Sequence, residues 1–174
     1  MGRDETIARE TIHDLCYSYK LDEEKLYKRA FLLLDSYRKL CFKCYLDHDD
    51  VDDSVYEDSD PLKAILYLEK LKANMNRRDF VRAIRDRVEK NWIVELVDSA
   101  MIKVQEFPQH GKLYLDLINK RFLVQVKYPE EDIYHALCLG RSRYYDRRWE
   151  AVMVFGICLW GSVLPNMKRD LLDK

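Results

Sequence analysis

Apolar residues recur along this chain at intervals of three and four, which predicts helices throughout. Ala8, Ile12, Leu15, Cys16 and Tyr19 mark a first amphipathic helix starting near Asp4. After a short break at Leu21-Asp22, with Asp22 as N-cap, a second helix carries Leu26, Ala30, Leu33, Tyr37, Leu40, Cys41 and Cys44, and Tyr27, Phe31 and Leu34 widen its apolar face. So broad a stripe needs partners on two sides, so this helical hairpin either packs onto the rest of the chain or pairs with a second copy. Asp60-Pro61 opens a short helix that is apolar almost all round (Leu62, Ile65, Leu66, Leu68, Leu71) and must be buried. Beyond a break at Asn74-Met-Asn76, the residues Val81, Ile84, Val88, Trp92, Leu96, Ala100 and Val104 predict one long helix from Arg77 to Pro108, the backbone of the core. Its opposite face shows Arg78, Arg82, Arg85 and Lys90, which could track a DNA backbone, contact a partner or keep the helix soluble; the interleaved Asp79, Asp86 and Glu89 favour solubility. After Gly111, a helix with Tyr114, Leu117, Ile118 and Phe122 follows.

From Tyr128 to Val152 the pattern is that of two helices separated by a tight turn. Pro129 sits where a first turn tolerates a missing N–H, and Glu130, Glu131 and Asp132 complement the positive end of the helix dipole. Ile133, Ala136 and Leu137 share one face; the helix ends near Cys138, and Gly140 is expected to supply the backbone freedom of the turn. From Arg141 a second helix places Tyr144, Arg148, Ala151, Val152 and Phe155 on one stripe, while Arg141, Arg143, Tyr145 and Asp146 point elsewhere. It continues through Ile157, Leu159 and Trp160 until Gly161 and Pro165 close it, and Met167 to Lys174 reads as a fraying end.

The formal charge of −1 is an average over uneven segments. Residues 47–60 hold eight carboxylates and no Lys or Arg; without them 30 basic side chains face 23 acidic ones, a net +7 that can meet phosphate. The acidic stretch repels itself and reads as a linker and domain boundary, with a sharper alternative in which it lies on the basic helix-turn-helix when nucleic acid is absent. Five cysteines in odd number indicate a reducing, cytoplasmic setting, and no apolar run is expected to approach the roughly 18 residues of a membrane span.

Phosphate-cradling glycine loops, zinc-protease and nucleophile-elbow motifs are all absent from the sequence, so no catalytic residue, cofactor or resident metal is expected and the chain does not read as an enzyme. Cys41-x-x-Cys44 with His48, joined by His13 and Cys16, has a spacing a zinc ion could use, but both helix-2 cysteines extend an apolar stripe and read as small hydrophobes. Asp47, Asp49 and Asp53 alternate like calcium ligands but lack the glycine and closing Glu of an EF-hand loop.

The chemistry the pattern does carry is cationic. A helix whose leading turn presents arginines, braced by a shorter helix behind it, can enter a DNA major groove. Arg141 and Arg143 have forks that match guanine N7 and O6, and Arg147 and Arg148 are placed to reach phosphates further along. The stretch Leu137-Cys-Leu-Gly-Arg-Ser-Arg-Tyr-Tyr-Asp-Arg-Arg-Trp-Glu-Ala-Val152 resembles the helix-turn-helix of phage and prophage transcription activators of the ArpU/RinA type, themselves similar to the promoter-reading C-terminal domain of bacterial sigma factors. Tyr144-Tyr145, Glu150-Ala151, Leu159-Trp160-Gly161 and the upstream Glu95-Leu-Val-Asp-Ser-Ala100 and Gly111-Lys-Leu-Tyr114 extend the likeness over about residues 93–164. Cys138 stands where the turn usually has glycine, Gly140 where a capping serine is common, and Asp146 where a basic residue is usual.

The expected architecture is therefore all-α: an N-terminal helical hairpin (1–46), an acidic linker (47–60), central helices (61–110), a sigma-type helix-turn-helix domain (111–164) and a tail (165–174). The expected function is sequence-specific binding of double-stranded DNA by a transcription regulator, with Arg141, Ser142, Arg143, Tyr145, Asp146, Arg147 and Arg148 as the DNA-binding set. One recognition helix reads only a few base pairs, so a second reader is needed, supplied by a homodimer or by RNA polymerase. The alternative is a helical interaction module that binds RNA polymerase or a host factor without reading DNA.

Overall fold

The computed structural model describes residues 2–41, 60–87 and 90–174, and among them every regular element is helical. The acidic stretch up to residue 59, with its calcium-like spacing, and Cys44, His48 and Val88 lie outside the described residues. The helices are α1 (Arg3–Ser18), α2 (Glu23–Cys41), α3 (Pro61–Glu69), α4 (Arg77–Arg85), α5 (Lys90–Gln105), α6 (Gly111–Ile118), α7 (Glu130–Ala136), α8 (Arg141–Cys158) and α9 (Leu164–Leu172). Local chemistry sets several of these boundaries. Asp22 accepts from the Lys25 N–H, Asp60 from the Leu62 N–H ahead of Pro61, and Asn76 from the Asp79 N–H.

The central element is α8. Every residue from Glu150 to Ile157 is buried, and α1, α2, α5, α6 and α7 all pack on this helix. A helix apolar on all sides must be enclosed on all sides, and Ala151-Val-Met-Val-Phe155 is such a run. The hairpin thus takes the first of its two alternatives: α2 lies directly on α8. A Cβ at Gly156 would stand 3.0 Å from the Leu26 Cγ and 3.1 Å from the Ala30 Cβ, so the absence of a side chain there sets how closely the two helices approach. Gly156 meets Leu26 and Ala30, whereas Arg148, two turns earlier, lies over the Phe31 ring at 5.7 Å. The helices therefore run antiparallel, with the start of α8 at the same end of the bundle as the end of α2.

Four expectations change. The helix predicted from Arg77 to Pro108 is two helices: α4 closes at Arg85, with Asp86 and Arg87 in a turn, and α5 begins at Lys90. Periodicity survived the break because each piece buries its own face, Phe80, Val81 and Ile84 in α4 and Ile93, Leu96, Val97, Ala100, Met101 and Val104 in α5. Gly161 and Pro165 do not end the last long helix: Leu159–Val163 is a π-helical turn that leads directly into α9, where Pro165 occupies a first-turn position. The segment from Met167, read as fraying, is helical to Leu172. Finally, the helical run Arg141–Leu172 is long and apolar enough to cross a membrane by length and composition, contrary to expectation, but 67% of its apolar window is buried inside the protein, as befits a core helix.

Side chains tie the layers together. The Trp160 indole N–H donates to the Leu68 carbonyl at 3.0 Å, Arg29 donates to the Leu71 carbonyl at 2.6 Å, and Arg38 donates to the carbonyls of Arg121 and Val124 at 2.7 Å each. These last bonds clamp α2 to the π-helical turn Asn119–Leu123 that extends α6.

Candidate nucleic-acid interface

At the end of the bundle where α8 begins, α7 and α8 are joined by residues 137–140. The connection is a Schellman turn: the Leu139 N–H bonds the Tyr134 carbonyl at 2.8 Å and the Cys138 N–H bonds the His135 carbonyl at 3.0 Å. Such a turn needs one left-handed residue, and that residue is Cys138, with φ 57°, not Gly140. Gly140 is extended (φ −74°, ψ 160°) and serves as the N-cap of α8, with no side chain to cap the first N–H groups.

The first turn of α8 presents Arg141, Ser142 and Arg143 to solvent. Behind them the helix is locked by one carboxylate. Glu130, in the first turn of α7, accepts from Arg148 Nη1 at 2.7 Å, Arg121 Nε at 2.8 Å, the Tyr145 hydroxyl at 3.1 Å and the Tyr144 hydroxyl at 3.3 Å. Burial alone would raise its pKa, but the bonds from Arg121 and Arg148, the Arg148 charge and the Tyr145 hydroxyl outweigh burial and hold the carboxyl below its ordinary range. The Tyr144 phenol is raised, first by burial and then by the Glu130 charge. Tyr134 packs on Tyr144 at 5.6 Å between ring centroids. The orientation of α8 relative to α7 is thus fixed by charge-assisted bonds and by aromatic packing.

Of the seven residues assigned to DNA, Arg141, Ser142 and Arg143 stand together on this exposed tip. The other four lie off the tip. Arg147 does not reach outward: its side chain is 6% exposed and donates through Nη1 to both Glu150 oxygens, at 2.9 and 2.7 Å. Arg148 is half-buried on Glu130 and over the rings of Phe31 and Tyr145. Tyr145 remains partly exposed with its hydroxyl on Glu130. Asp146 meets the Arg9 guanidinium at 3.4 Å, while Arg9 also lies 5.1 Å over the Trp149 ring. The carboxylate that breaks the basic pattern therefore has a local counter-charge from α1. Both arginines turn inward because their positions, three and four residues after Tyr144, fall on the buried stripe, where carboxylates receive them.

Glu130, Arg121, Glu150, Tyr114 and Arg9 are the residues that sequence reasoning left without a site role. Tyr114 donates its hydroxyl to Glu150 Oε2 at 2.8 Å, closing the buried Arg147–Glu150 pair, and its phenol is raised by burial and by the Glu150 charge. A readable signal existed only for Glu150, a lone carboxylate flanked by the apolar run that fills the core.

Among the described residues no three His, Cys, Asp or Glu side chains are grouped to hold a metal ion. Cys16 and Cys41 are buried, and His13 Nδ1 lies 2.6 Å from Glu23 Oε1. Burial, and then the Glu23 charge, pushes the Cys16 thiol up to about 11, the direction of an inert core cysteine. No protein-family model, curated protein or solved structure matches the chain.

Proposed function

We propose that this protein is a sequence-specific, double-stranded-DNA-binding transcription regulator that lays the first turn of α8 in the major groove. The observation that carries the proposal is the pairing of an exposed Arg141-Ser-Arg143 tip with a rigid mount: Glu130 fixes α8 from behind while the tip stays solvent-facing. Preorganised guanidinium forks lose little freedom on meeting the N7 and O6 of guanine. The uncapped N–H groups at the helix start favour a nearby phosphate. The resemblance to ArpU/RinA-type activators adds the sigma-type helix-turn-helix, a phage or prophage setting, the host cytoplasm and gene activation to the proposal.

The test is duplex binding followed by anisotropy across a salt series. Affinity is expected to fall linearly on a log–log plot, with a slope of about −0.9 per phosphate contacted. Absent or salt-insensitive binding at low ionic strength contradicts the proposal.

A second reading, a module that binds RNA polymerase or a host factor, draws on a different surface. Val126 is 60% exposed and Tyr128 50% exposed in the α6–α7 connection, beside a groove of about 490 Å³ lined by Lys120, Val124, Asp132, Ile133 and Ala136. Replacing Arg141 and Arg143 with Ala separates the two. DNA retention is lost under the first reading, whereas capture of purified RNA polymerase is unchanged under the second.

A further inference from the structure

A second concentration of positive charge lies on α4, on the face whose sequence pattern favoured solubility over contact with a DNA backbone or a partner. Lys39 at the end of α2, with Arg78, Arg82 and Arg85 of α4, lines a cleft of about 430 Å³ whose wall contains one carboxylate, Asp86. Arg78 and Arg82 are one helical turn apart, Arg85 is three residues further, and the side chains converge on one opening. Two other carboxylates near α4 are engaged outside the cleft. Asp35 takes Arg77 at 3.2 Å, and Asp79 accepts from the Asn76 side chain at 2.9 Å. Among the described residues neither Arg78 nor Arg82 has an ion-pair partner. The Arg85 guanidinium is held in place by a 2.8 Å bond from Nη2 to the Lys39 carbonyl, and its buried Nε meets no acceptor among the described residues. A carbonyl acceptor does not neutralise the guanidinium, so the Arg85 charge remains at the wall of the cleft.

From these contacts we infer that the α2–α4 cleft is a phosphate-binding site, in which Arg85 is the fixed donor and Arg78, Arg82 and Lys39 supply charge. Guanidinium forks match the tetrahedral oxyanion in bidentate fashion, and a cleft lined by one sign of charge concentrates counter-ions. The phosphate is either that of a nucleic-acid backbone or a small free phosphate. Geometry makes the first source available. Arg77 pairs with Asp35 and Arg85 with Lys39, so α4 runs alongside α2 toward the same end of the bundle at which α8 begins.

The experiment has two arms. In the first, inorganic phosphate is titrated into the full-length protein against a chloride control, with the Arg85 Nε–H resonance as readout. A saturable shift is expected that is absent in the R78A/R82A variant. A shift that tracks ionic strength alone, or is unchanged in that variant, overturns the site. Both substituted side chains are exposed, and the melting temperature of R78A/R82A checks the fold, with R82Q alone as a milder variant expected to weaken the same shift. In the second arm, duplex DNA binding by R78A/R82A is followed across salt. A slope lower by about 2 assigns the backbone as source. An unchanged slope with a saturable phosphate shift supports the site as one for a small phosphate. Should the wild-type protein bind no duplex, the proposal for α8 fails, and the first arm still decides the cleft.

Discussion

Arg147 and Glu150 form a closed ion pair inside the protein, Nη1 to Oε2 at 2.7 Å, with the Tyr114 hydroxyl completing the carboxylate's partners. An arginine that the pattern places near DNA phosphates is instead turned inward onto a carboxylate of its own helix, and Tyr114 joins that carboxylate to α6. Removing one member of a buried pair leaves the other charge stranded, at about 3–5 kcal/mol. Arg147→Met is therefore expected to lower the unfolding free energy by that amount in a denaturant titration. Replacing both, Arg147→Met with Glu150→Leu, should recover most of it. Duplex affinity of the single variant, measured where it remains folded, should match wild type.

Glu130 links stability to pH. Its folded-state pKa lies below the ordinary 4.5, so the stability it contributes is complete above the unfolded-state value and is lost as pH falls through the folded-state value. Glu130→Gln should flatten the acid limb of a stability-versus-pH curve. At neutral pH it should cost roughly 1.5–3 kcal/mol, the range for hydrogen bonds to charged groups. An acid limb identical to wild type would show that the carboxylate is not the hub of the α7–α8 mount.

Backbone conformation and local space set apart three positions at helix ends. Cys138 occupies the left-handed region, where a side chain costs about 1–2 kcal/mol, so Cys138→Gly should raise the melting temperature. Gly140 is extended with open space around it, and Gly140→Ser should add a side-chain cap worth only a few tenths of a kcal/mol. Gly111→Ala should do the reverse, because a Cβ there would stand 2.5 Å from the Gln105 carbonyl oxygen and 2.9 Å from that of Val104. Overpacking of this kind costs about 1–3 kcal/mol. Thermal melts of the three variants check the ordering.

Thiol chemistry follows burial. Cys16 and Cys158 are each pushed up to about 11, in both cases mainly by burial, whereas Cys138 is exposed in the turn. Among the four described cysteines, brief iodoacetamide treatment of the native protein should label Cys138 first. Peptide mass spectrometry showing Cys16 labelled as fast would contradict the packing of α1 on α8.

What the sequence discloses here is mostly local. Asp60-Pro61, Asn76 and Asp22 announce helix starts because the capping partner lies two or three residues away. The apolar stripes of α2 and α6 are read correctly because burial on one face is periodic. What is not legible depends on distant partners. Arg147 and Arg148 look like any cationic face until Glu150 and Glu130 are known to be beside them, and Arg9 is 137 residues from the Asp146 it faces. The break between α4 and α5 leaves periodicity intact, and Pro165 falls at a first-turn position after a π-helical turn, where its missing N–H does no harm.

The measurement that bears most directly on the account is a base-selection experiment with the wild-type protein and Arg141→Ala and Arg143→Ala variants of unchanged melting temperature. The wild-type protein is expected to select a duplex motif containing guanine. Each variant should lose discrimination at one position, by about 1–3 kcal/mol per lost bidentate contact. A motif retained unaltered in both variants, or no motif from the wild-type protein, would contradict it.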